Sequence, residues 1–494
     1  MIFRCVDDVG TPFLMQKSQN GVKSACRKSQ NGVYLHYKKS KNGARFMKRK
    51  VYNKLLAWKK DEKGKCAILI DGARRVGKSY IVKEFAKNEY RSHIVIDFNN
   101  ASVEIFELFE NYISNLDTFF VLLQNLIGVK LYDRESLIVF DEVQLCPKAR
   151  AAIKYLVEDG RYDYIETGSL VSINKNVKGI VIPSEERRIE MNPMDFEEFL
   201  WALDEEMLML YISECYDKKK AMGPLHRKAM DLFRLYMIVG GMPQAVLKYV
   251  ETKDFVKVDR VKRDILQLYK ADIAKYAEGY ESKVKSIFEQ IPASLQRHEK
   301  VIKLSDLKKG ARYRDYESSF FWLEESRVIN ICRGATEPII GLRMSMDSMK
   351  LKCYMADTGL LISLAFDENE IKNEELYRKL LFDKLEINKG MLVENIVAQM
   401  LVASGHKLYF FSNYSDVASD RMEIDFLIAK QNLTSRHNIS SIEVKSGKNY
   451  TLSSLTKFKD KYSQMLSMSY VIHSADLRKD EQCCYLPLYM TPML

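Results

Sequence analysis

The sequence predicts an α/β protein in which two α/β units flank a helix-rich middle. Apolar, strand-like runs alternate with helical stretches from residue 66 to 190, the pattern of parallel strands joined by helical crossovers. Residues 195 to 290 favour helices, 291 to 345 mix helices with short strand-like runs, and a second α/β pattern begins near 390. At roughly 150 residues per domain, the 494 residues predict about three domains.

Charge is concentrated at the amino end of the chain. The formal net charge is +11, yet residues 1 to 50 hold 12 Lys/Arg against 2 Asp/Glu, so the rest is nearly neutral. The motif KSQNGV at 17 to 22 returns at 28 to 33, and KSKNGA follows at 39 to 44. A basic tract rich in Ser, Asn and Gly buries too little apolar surface to offset chain entropy. We therefore expect residues 1 to 46 to form a disordered extension.

Cysteine usage and hydropathy favour a cytoplasmic protein. The nine cysteines are scattered, with no CxxC pair, which indicates reduced thiols. No apolar run reaches the roughly 18 residues that a membrane helix needs, so we expect no membrane partner. The seven histidines lack zinc-binding spacing, and no Gly-x-Ser-x-Gly nucleophile motif occurs.

A phosphate-binding loop follows the first predicted strand. The segment CAILIDGARRVGKSYIVKEF matches GxxxxGK[ST] between a buried strand and a helix, the context that this motif requires. Small residues let successive backbone N–H groups point at phosphate oxygens, a lysine neutralises the β- and γ-phosphates, and the following hydroxyl joins a Mg²⁺ shell. The predicted ATP-contacting residues are Gly72, Ala73, Arg74, Arg75, Val76, Gly77, Lys78, Ser79 and Tyr80, with Ser79 also a Mg²⁺ ligand.

An acidic pair ends the strand LIVFDE. Asp141 is predicted to lie at the carboxyl edge of the sheet, where ligands gather, and to hold Mg²⁺. Glu142 is the candidate that orients or deprotonates the water attacking the γ-phosphate, and Lys78 is its catalytic partner. An acidic pair at a strand end can also act as a helix cap. Its pairing with the glycine loop makes that alternative the weaker one.

Further candidates for nucleotide contacts follow the fourth strand. Thr167 and Ser169 offer hydroxyl groups near the γ-phosphate. Arg188, with Arg187 as its alternative, is a candidate arginine finger, although either side chain could form only a surface ion pair.

Ten motifs resemble those of one prokaryotic family. The motifs are GARRVGKS, LIVFDEVQ, TGSL, NPMDFEEFL, YMIVGGMPQAV, DILQLYKADIAKY, KCYMADTGLL, GMLVENIVAQML, EIDFLI and IEVKSG. In order, they resemble the AAA-type ATPases that carry a C-terminal domain of unknown function numbered 4143. The resemblance covers roughly residues 47 to 460, and it implies an ATPase core, a winged-helix-like middle and a nuclease-like C-terminal domain. The expected boundaries are 47–190 for the ATPase core, 191–260 for a helical lid, 261–375 for the winged-helix-like region and 380–494 for the C-terminal domain.

A second acidic constellation lies in the C-terminal unit. The order of Glu394, Asp425 and then Glu443-Val444-Lys445 resembles that of the PD-(D/E)xK nucleases, which have a restriction-endonuclease-like fold. That resemblance implies that Asp425 and Glu443 bind Mg²⁺ with the Val444 carbonyl, that Lys445 is the catalytic cation, and that Glu394 is an auxiliary metal ligand. An ExK triplet on an exposed strand is usually a solvated ion pair, and nuclease-like folds are often reused for binding.

The segment 303 to 332 predicts two helices and a strand, the order of a winged helix. Its basic and aromatic side chains could face DNA phosphates; they are Lys308, Lys309, Arg312, Tyr313 and Arg314. Large apolar residues at helical spacing usually pack in a core, so Phe320 to Leu323 are expected there, and a winged helix can also join proteins.

The leading interpretation is an AAA-type ATPase that binds ATP with Mg²⁺ and uses hydrolysis as a switch, with DNA and a homo-oligomer as possible partners. One alternative is a Mg²⁺-dependent DNA nuclease regulated by ATP. A second is a non-catalytic module that binds protein or DNA.

Overall fold

A computed structural model gives the fold of the chain. It describes the residue ranges 2–6, 12–17, 23–28, 34–36, 47–168, 184–297, 299–366, 375–381, 389–415, 417, 420–430, 437–447, 449–481 and 483–494. The chain divides into two compact units, Met1–Lys48 and Arg49–Leu494.

The first unit contains four strands where disorder is expected from composition. They form an antiparallel sheet in the order β1-β2-β3-β4, with bounds β1 Ile2–Val6, β2 Pro12–Lys17, β3 Lys23–Lys28 and β4 Tyr34–His36. The eleven-residue repeat puts an Asn-Gly pair between β2 and β3 and another between β3 and β4, and Asn-Gly pairs favour tight hairpins. Composition alone misses this regular spacing.

The second unit begins with a five-stranded parallel sheet. Its strands run in the order β6-β7-β8-β5-β9. Their bounds are β5 Ala67–Asp71, β6 Ser92–Asp97, β7 Ser136–Asp141, β8 Asp163–Gly168 and β9 Glu186–Glu190. Helices connect the strands: α1 Val51–Glu62, α2 Lys78–Glu89, α3 Val103–Asn111, α4 Leu116–Ile127 and α5 Pro147–Asp159. Because β5 and β7 are buried at every residue, both read as continuous apolar runs in the sequence.

A helical region follows this sheet. Its helices are α6 Phe196–Ala202, α7 Glu206–Asp217, α8 Leu225–Val239, α9 Pro243–Thr252, α10 Phe255–Tyr276 and α11 Glu281–Gln296. Among the helices in the described ranges, none has the length and apolar content that a membrane crossing requires.

The segment predicted as a winged helix contains the expected two helices and strand. These are α12 Leu304–Leu307, α13 Glu317–Glu325 and β10 Ile329–Ala335, and β11 Met346–Met355 pairs with β10. Phe320, Trp322 and Leu323 are buried as expected, whereas Phe321 is 59% exposed. The β10-β11 hairpin does not stand apart as a wing, because β10 pairs in parallel with a strand of the C-terminal sheet.

The C-terminal sheet has eight strands and is mixed. Its order is β11-β10-β12-β13-β14-β15-β17-β16. The remaining bounds are β12 Tyr409–Asn413, β13 Met422–Ala429, β14 Ile439–Val444, β15 Leu466–His473, β16 Arg478–Lys479, β17 Cys484–Pro487, and helices α14 Thr358–Ala365, α15 Glu375–Leu381, α16 Lys389–Ala403 and α17 Ser453–Tyr462. The parallel sheet, helical middle and mixed C-terminal sheet confirm the predicted α/β layout, whereas the restriction-endonuclease-like fold of the C-terminal domain stays a prediction.

Four of the family-like motifs meet in one buried joint. The Tyr236 hydroxyl donates to the carbonyl of Met194 at 2.8 Å, and the Gln399 amide donates to that hydroxyl at 3.0 Å. Nearby, the Asp357 carboxylate accepts the backbone N–H of Gly241 at 2.5 Å. A Cβ at Gly241 would lie 2.1 Å from the Met194 carbonyl oxygen, so glycine is required there. The joint connects the end of the parallel sheet domain, the helical middle and α16.

Candidate nucleotide site and C-terminal carboxylate site

The glycine loop connects the carboxyl end of β5 to the first residue of α2. Gly77, which precedes α2, has φ of 95°, a backbone conformation that favours glycine, and Arg75 also has a positive φ of 70°. The Lys78 ammonium lies inside the loop and donates to the carbonyls of Gly72 at 2.8 Å and Ala73 at 3.1 Å. Burial lowers the pKa of Lys78, while three neighbouring carboxylates oppose that shift. The loop therefore holds a buried cation at its centre.

Hydroxyl and carboxylate groups meet where β7 and β8 end. The Ser79 hydroxyl donates to Asp141 at 2.7 Å, and the Thr167 hydroxyl donates to the same carboxylate oxygen. Glu142 follows Asp141 with a left-handed φ of 56°, and its carboxylate accepts the Gln144 amide at 2.6 Å. The structure thus brings together four of the predicted site residues. Ser169 lies outside the described residues.

Arg49 donates a hydrogen bond to the glycine loop, a contact that the sequence does not reveal. Its guanidinium donates to the Val76 carbonyl at 2.7 Å, to the Asn192 carbonyl at 2.6 Å and to Glu198 at 3.1 Å. Arg49 and Glu198 are both buried. In the sequence, Arg49 is one cation among several in MKRK, and nothing local distinguishes it.

A cavity of about 360 Å³ lies between the glycine loop and the helical middle. Lys78 and Glu142 line its inner side, and Asp272 and Lys275 of α10 line the other, together with Trp322 of α13. Arg74 crosses between the two sides: its guanidinium contacts Asp272 at 2.6 Å, and its carbonyl accepts the Tyr269 hydroxyl at 3.1 Å. Across this cavity, the glycine loop therefore faces helices α10 and α13 of the same chain.

The two arginines predicted as a finger lie away from this cavity. Arg187 pairs with Glu62 at 2.7 Å, and Arg188 lies 3.7 Å from Glu186. Neither lines the cavity beside Lys78 and Glu142. Both side chains are largely exposed, as surface ion pairs are. Tyr80, the last predicted loop contact, is 42% exposed.

The second predicted site lies at the ends of β13 and β14. Asp425 accepts the backbone N–H of Val444 at 2.8 Å, and Lys445 contacts Glu443 at 2.7 Å. Burial raises the pKa of Asp425 to about 6 and that of Glu443 to about 8, and the charge of Asp425 adds to the latter shift. Among the described residues, the Glu443 Oε2 atom has no hydrogen-bond partner. All three side chains line one cavity of about 330 Å³.

Glu394 lines the same cavity but is already neutralised by protein cations. Its carboxylate contacts Lys300 and Tyr354, and Lys352 lies 3.5 Å away. Burial alone would raise the pKa of Glu394, but the two lysines outweigh it and lower that pKa. Within the described part of the chain, no three acidic, histidine or cysteine side chains are grouped closely enough to hold a metal. Lys300 and Lys352 thus already supply counter-charges to Glu394, and its role as an auxiliary metal ligand stays a prediction.

Family models match three successive parts of the chain. Residues 64–200 match the AAA domain, residues 230–371 match a domain of unknown function (DUF8612), and residues 389–489 match a domain of unknown function (DUF4143). The AAA and DUF4143 matches confirm the predicted resemblance. No curated protein matches the chain.

The chain is similar in part to three solved structures. A Walker-type ATPase of Pyrococcus abyssi is 16% identical, with 65% of this chain and 96% of that one covered and a TM-score of 0.40. The ORC1 protein of Aeropyrum pernix in complex with DNA is 9% identical, with 65% and 93% covered and a TM-score of 0.27. Cdc6p from Pyrobaculum aerophilum is 12% identical, with 68% and 94% covered and a TM-score of 0.22.

Proposed function

We propose that the chain binds ATP with Mg²⁺ and hydrolyses it slowly as a conformational switch, because residues 64–200 match the AAA domain model. The observation that carries this proposal is the meeting of Ser79, Asp141 and Thr167 beside the buried Lys78. Each group has a separate part in phosphoryl transfer.

The glycine loop and its lysine would bind the phosphates. The backbone N–H groups before α2 and the helix N-terminus favour negative charge, and Lys78 adds a full positive charge. Among the described residues its acceptors are two backbone carbonyls, with which charged phosphate oxygens compete well for the ammonium. Glu142 would orient the attacking water and accept its proton.

The same strand end fits a magnesium ion. Mg²⁺ prefers oxygen ligands, and the Ser79 hydroxyl and Asp141 carboxylate oxygens, 2.7 Å apart, are of that kind. When bound, the ion would neutralise charge on the β- and γ-phosphates.

The test compares ATP binding and hydrolysis in matched variants. Lys78→Ala should abolish ATP binding, whereas Glu142→Gln should bind ATP but hydrolyse it about a hundredfold more slowly, the usual loss for an acid–base residue. Lys87→Ala and Glu135→Gln change exposed residues of the same types and should resemble wild type. Equal hydrolysis rates in wild type and both site variants would refute the proposal.

A second candidate function is metal-dependent DNA cleavage at the C-terminal site. The unpartnered Glu443 oxygen, the neighbouring Asp425 and the adjacent Lys445 support it, because two carboxylates buried together favour a bound divalent cation. Plasmid, single-stranded and branched DNA should then be cut with Mg²⁺ or Mn²⁺ by wild type and not by Glu443→Ala. Intact DNA in every reaction would exclude the nuclease. The remaining interpretations would then be the nucleotide switch and a module that binds protein or DNA without catalysis.

The exposed basic side chains of the segment 303 to 332 support DNA as a partner. Lys308, Lys309, Arg312 and Arg314 are all exposed, so phosphate contacts would not disturb the core. The cysteines support a cytoplasmic location, because all seven whose side chains are described are free thiols.

A further inference from the structure

The cavity beside the glycine loop is rich in hydrogen-bond donors on both of its sides. Lys78 and Arg74 belong to the loop, and Lys275 extends from the last turn of α10. The indole N–H of Trp322 is on the same wall and has no hydrogen-bond partner among the described residues. The three cations and the unpartnered donor outnumber the two carboxylates around this space, Glu142 and Asp272, and so favour an anionic ligand.

The position of Glu142 identifies which part of a nucleotide would reach this cavity. Glu142 is the proposed partner of the attacking water, so the γ-phosphate would lie beside it, and Glu142 lines the cavity together with Lys78. In phosphoryl transfer, an arginine from the same chain or from another one can complete this end of the site. Here, α10 of the same chain covers it.

We propose that the γ-phosphate of ATP is recognised within one chain by Arg74 and Lys275, and that Asp272 holds Arg74 until a γ-phosphate competes for it. This inference rests on the proposed ATP binding. Arg74 of the loop and Lys275 of α10 then take the role that the sequence predicts for Arg187 or Arg188.

The contact between Arg74 and Asp272 is suited to such competition. It is a single N–O contact at 2.6 Å, with the Arg74 side chain 48% exposed, and exposed ion pairs are weak. A γ-phosphate carries more charge than one carboxylate and offers three oxygens to a guanidinium that can bind in a bidentate way. The γ-phosphate therefore outcompetes Asp272, whereas ADP, which lacks that group, leaves the contact in place.

Release of Asp272 would loosen one of the ties between the loop and α10. A further tie is the hydrogen bond from the Tyr269 hydroxyl to the Arg74 carbonyl. A short connection joins α10 to α11, which ends at Gln296, four residues before Lys300 of the C-terminal cavity. Recognition of the γ-phosphate would thus act on the helix pair that connects the two cavities.

The first experiment measures ATP and ADP affinities of the full chain by calorimetry with Mg²⁺. Lys275→Met should weaken ATP binding about tenfold or more and leave ADP binding unchanged, because one charge-assisted contact to the γ-phosphate is lost. Asp272→Asn should strengthen ATP binding without changing ADP binding. Lys257→Met and Asp264→Asn, on exposed parts of the same helix, are the matched controls.

The alternative is that Lys275 only complements the dipole at the end of α10. In that case both variants would keep the wild-type ratio of ATP to ADP affinity, and the inference would be overturned while ATP binding stood. A wild-type chain that binds neither nucleotide would instead overturn the proposed function.

A mixing experiment tests whether recognition occurs within one chain. Lys275→Met and Glu142→Gln proteins are combined in equal amounts, and hydrolysis is compared with the sum of the separate rates. Additive rates are expected if both residues serve the same site in one molecule. Recovery of activity in the mixture would show that Lys275 acts on a neighbouring chain, and would overturn the assignment.

Discussion

Replacement of Arg49 by alanine is expected to destabilise the parallel sheet domain from a position outside the glycine loop. The guanidinium makes three hydrogen bonds, to Val76, Asn192 and Glu198. Its loss leaves the Glu198 carboxylate buried, with the backbone N–H groups of Lys50 at 2.6 Å and Asp195 at 3.2 Å as its remaining donors.

The magnitude follows from the burial of both partners. Breaking a buried ion pair by removing one partner costs about 3–5 kcal/mol, because an uncompensated charge remains. Glu198 is 4% exposed, so water cannot replace the guanidinium without a structural change. By contrast, the pair between Arg91 and Glu135 is more than half exposed on both sides, and its loss should cost about 1 kcal/mol or less.

Hydrogen–deuterium exchange of the β5 amides measures this cost within the domain concerned, without assuming that the whole chain unfolds in one step. Arg49→Ala should lower the opening free energy by the larger amount and Arg91→Ala by the smaller. In the double variant that combines Arg49→Ala with Glu198→Gln, the buried charge is gone. The loss of opening free energy in that variant should therefore be about 2 kcal/mol smaller than the sum of the two single losses. Equal protection of β5 in Arg49→Ala and Arg91→Ala would refute the reasoning.

Three further expectations concern single side chains. Glu394→Gln should destabilise the C-terminal sheet by about 3–5 kcal/mol, because the buried Lys352 and the partly buried Lys300 lose their shared counter-ion; unchanged exchange in β11 would contradict this. Burial lowers the pKa of His473 from 6.5 to about 4, so the folded state favours the neutral ring. The contribution of the neutral ring to the free energy of unfolding is fully present above pH 6.5 and falls by about 3 kcal/mol as the pH drops to 4. His473→Gln should flatten this part of the stability profile measured by urea titration. Thr167→Val, which removes a donor to Asp141, should slow ATP hydrolysis about tenfold while ATP still binds, and equal rates would exclude that role.

Local patterns in the sequence were sufficient for the glycine loop and the strand ends. The motif from Gly72 to Ser79 and the acidic end of β7 are each continuous in the chain, and the parallel sheet brings them together whatever the details of packing. The partners of Arg49 and Glu394 could not be inferred in this way. Lys352 is wholly buried on a strand, 42 residues from Glu394, and no local signal distinguishes it from the partly exposed Lys350 two residues earlier.

The winged-helix interpretation shows a different limit of local reasoning. Two helices followed by a strand are compatible with a separate wing and with an extension of a neighbouring sheet. The choice depends on whether β10 finds a partner beyond its own hairpin. Its parallel pairing with β12, from Arg333 with Tyr409 to Ala335 with Phe411, is a contact between segments more than seventy residues apart. The periodicity of β10 carries no information about it.

The motifs that resemble other proteins most specifically do not all serve the same purpose. Those around Gly72 and Asp141 form the proposed nucleotide site, whereas Tyr236, Gly241 and Asp357 build the buried joint between the parallel sheet domain, the helical middle and α16. Buried hydrogen-bond networks of this kind rigidify the elements that they connect. A nucleotide-driven change is therefore easier at the half-exposed contact between Arg74 and α10 than at the joint. The proposed switch accordingly shifts the end of one helix and does not swing the two sheets apart.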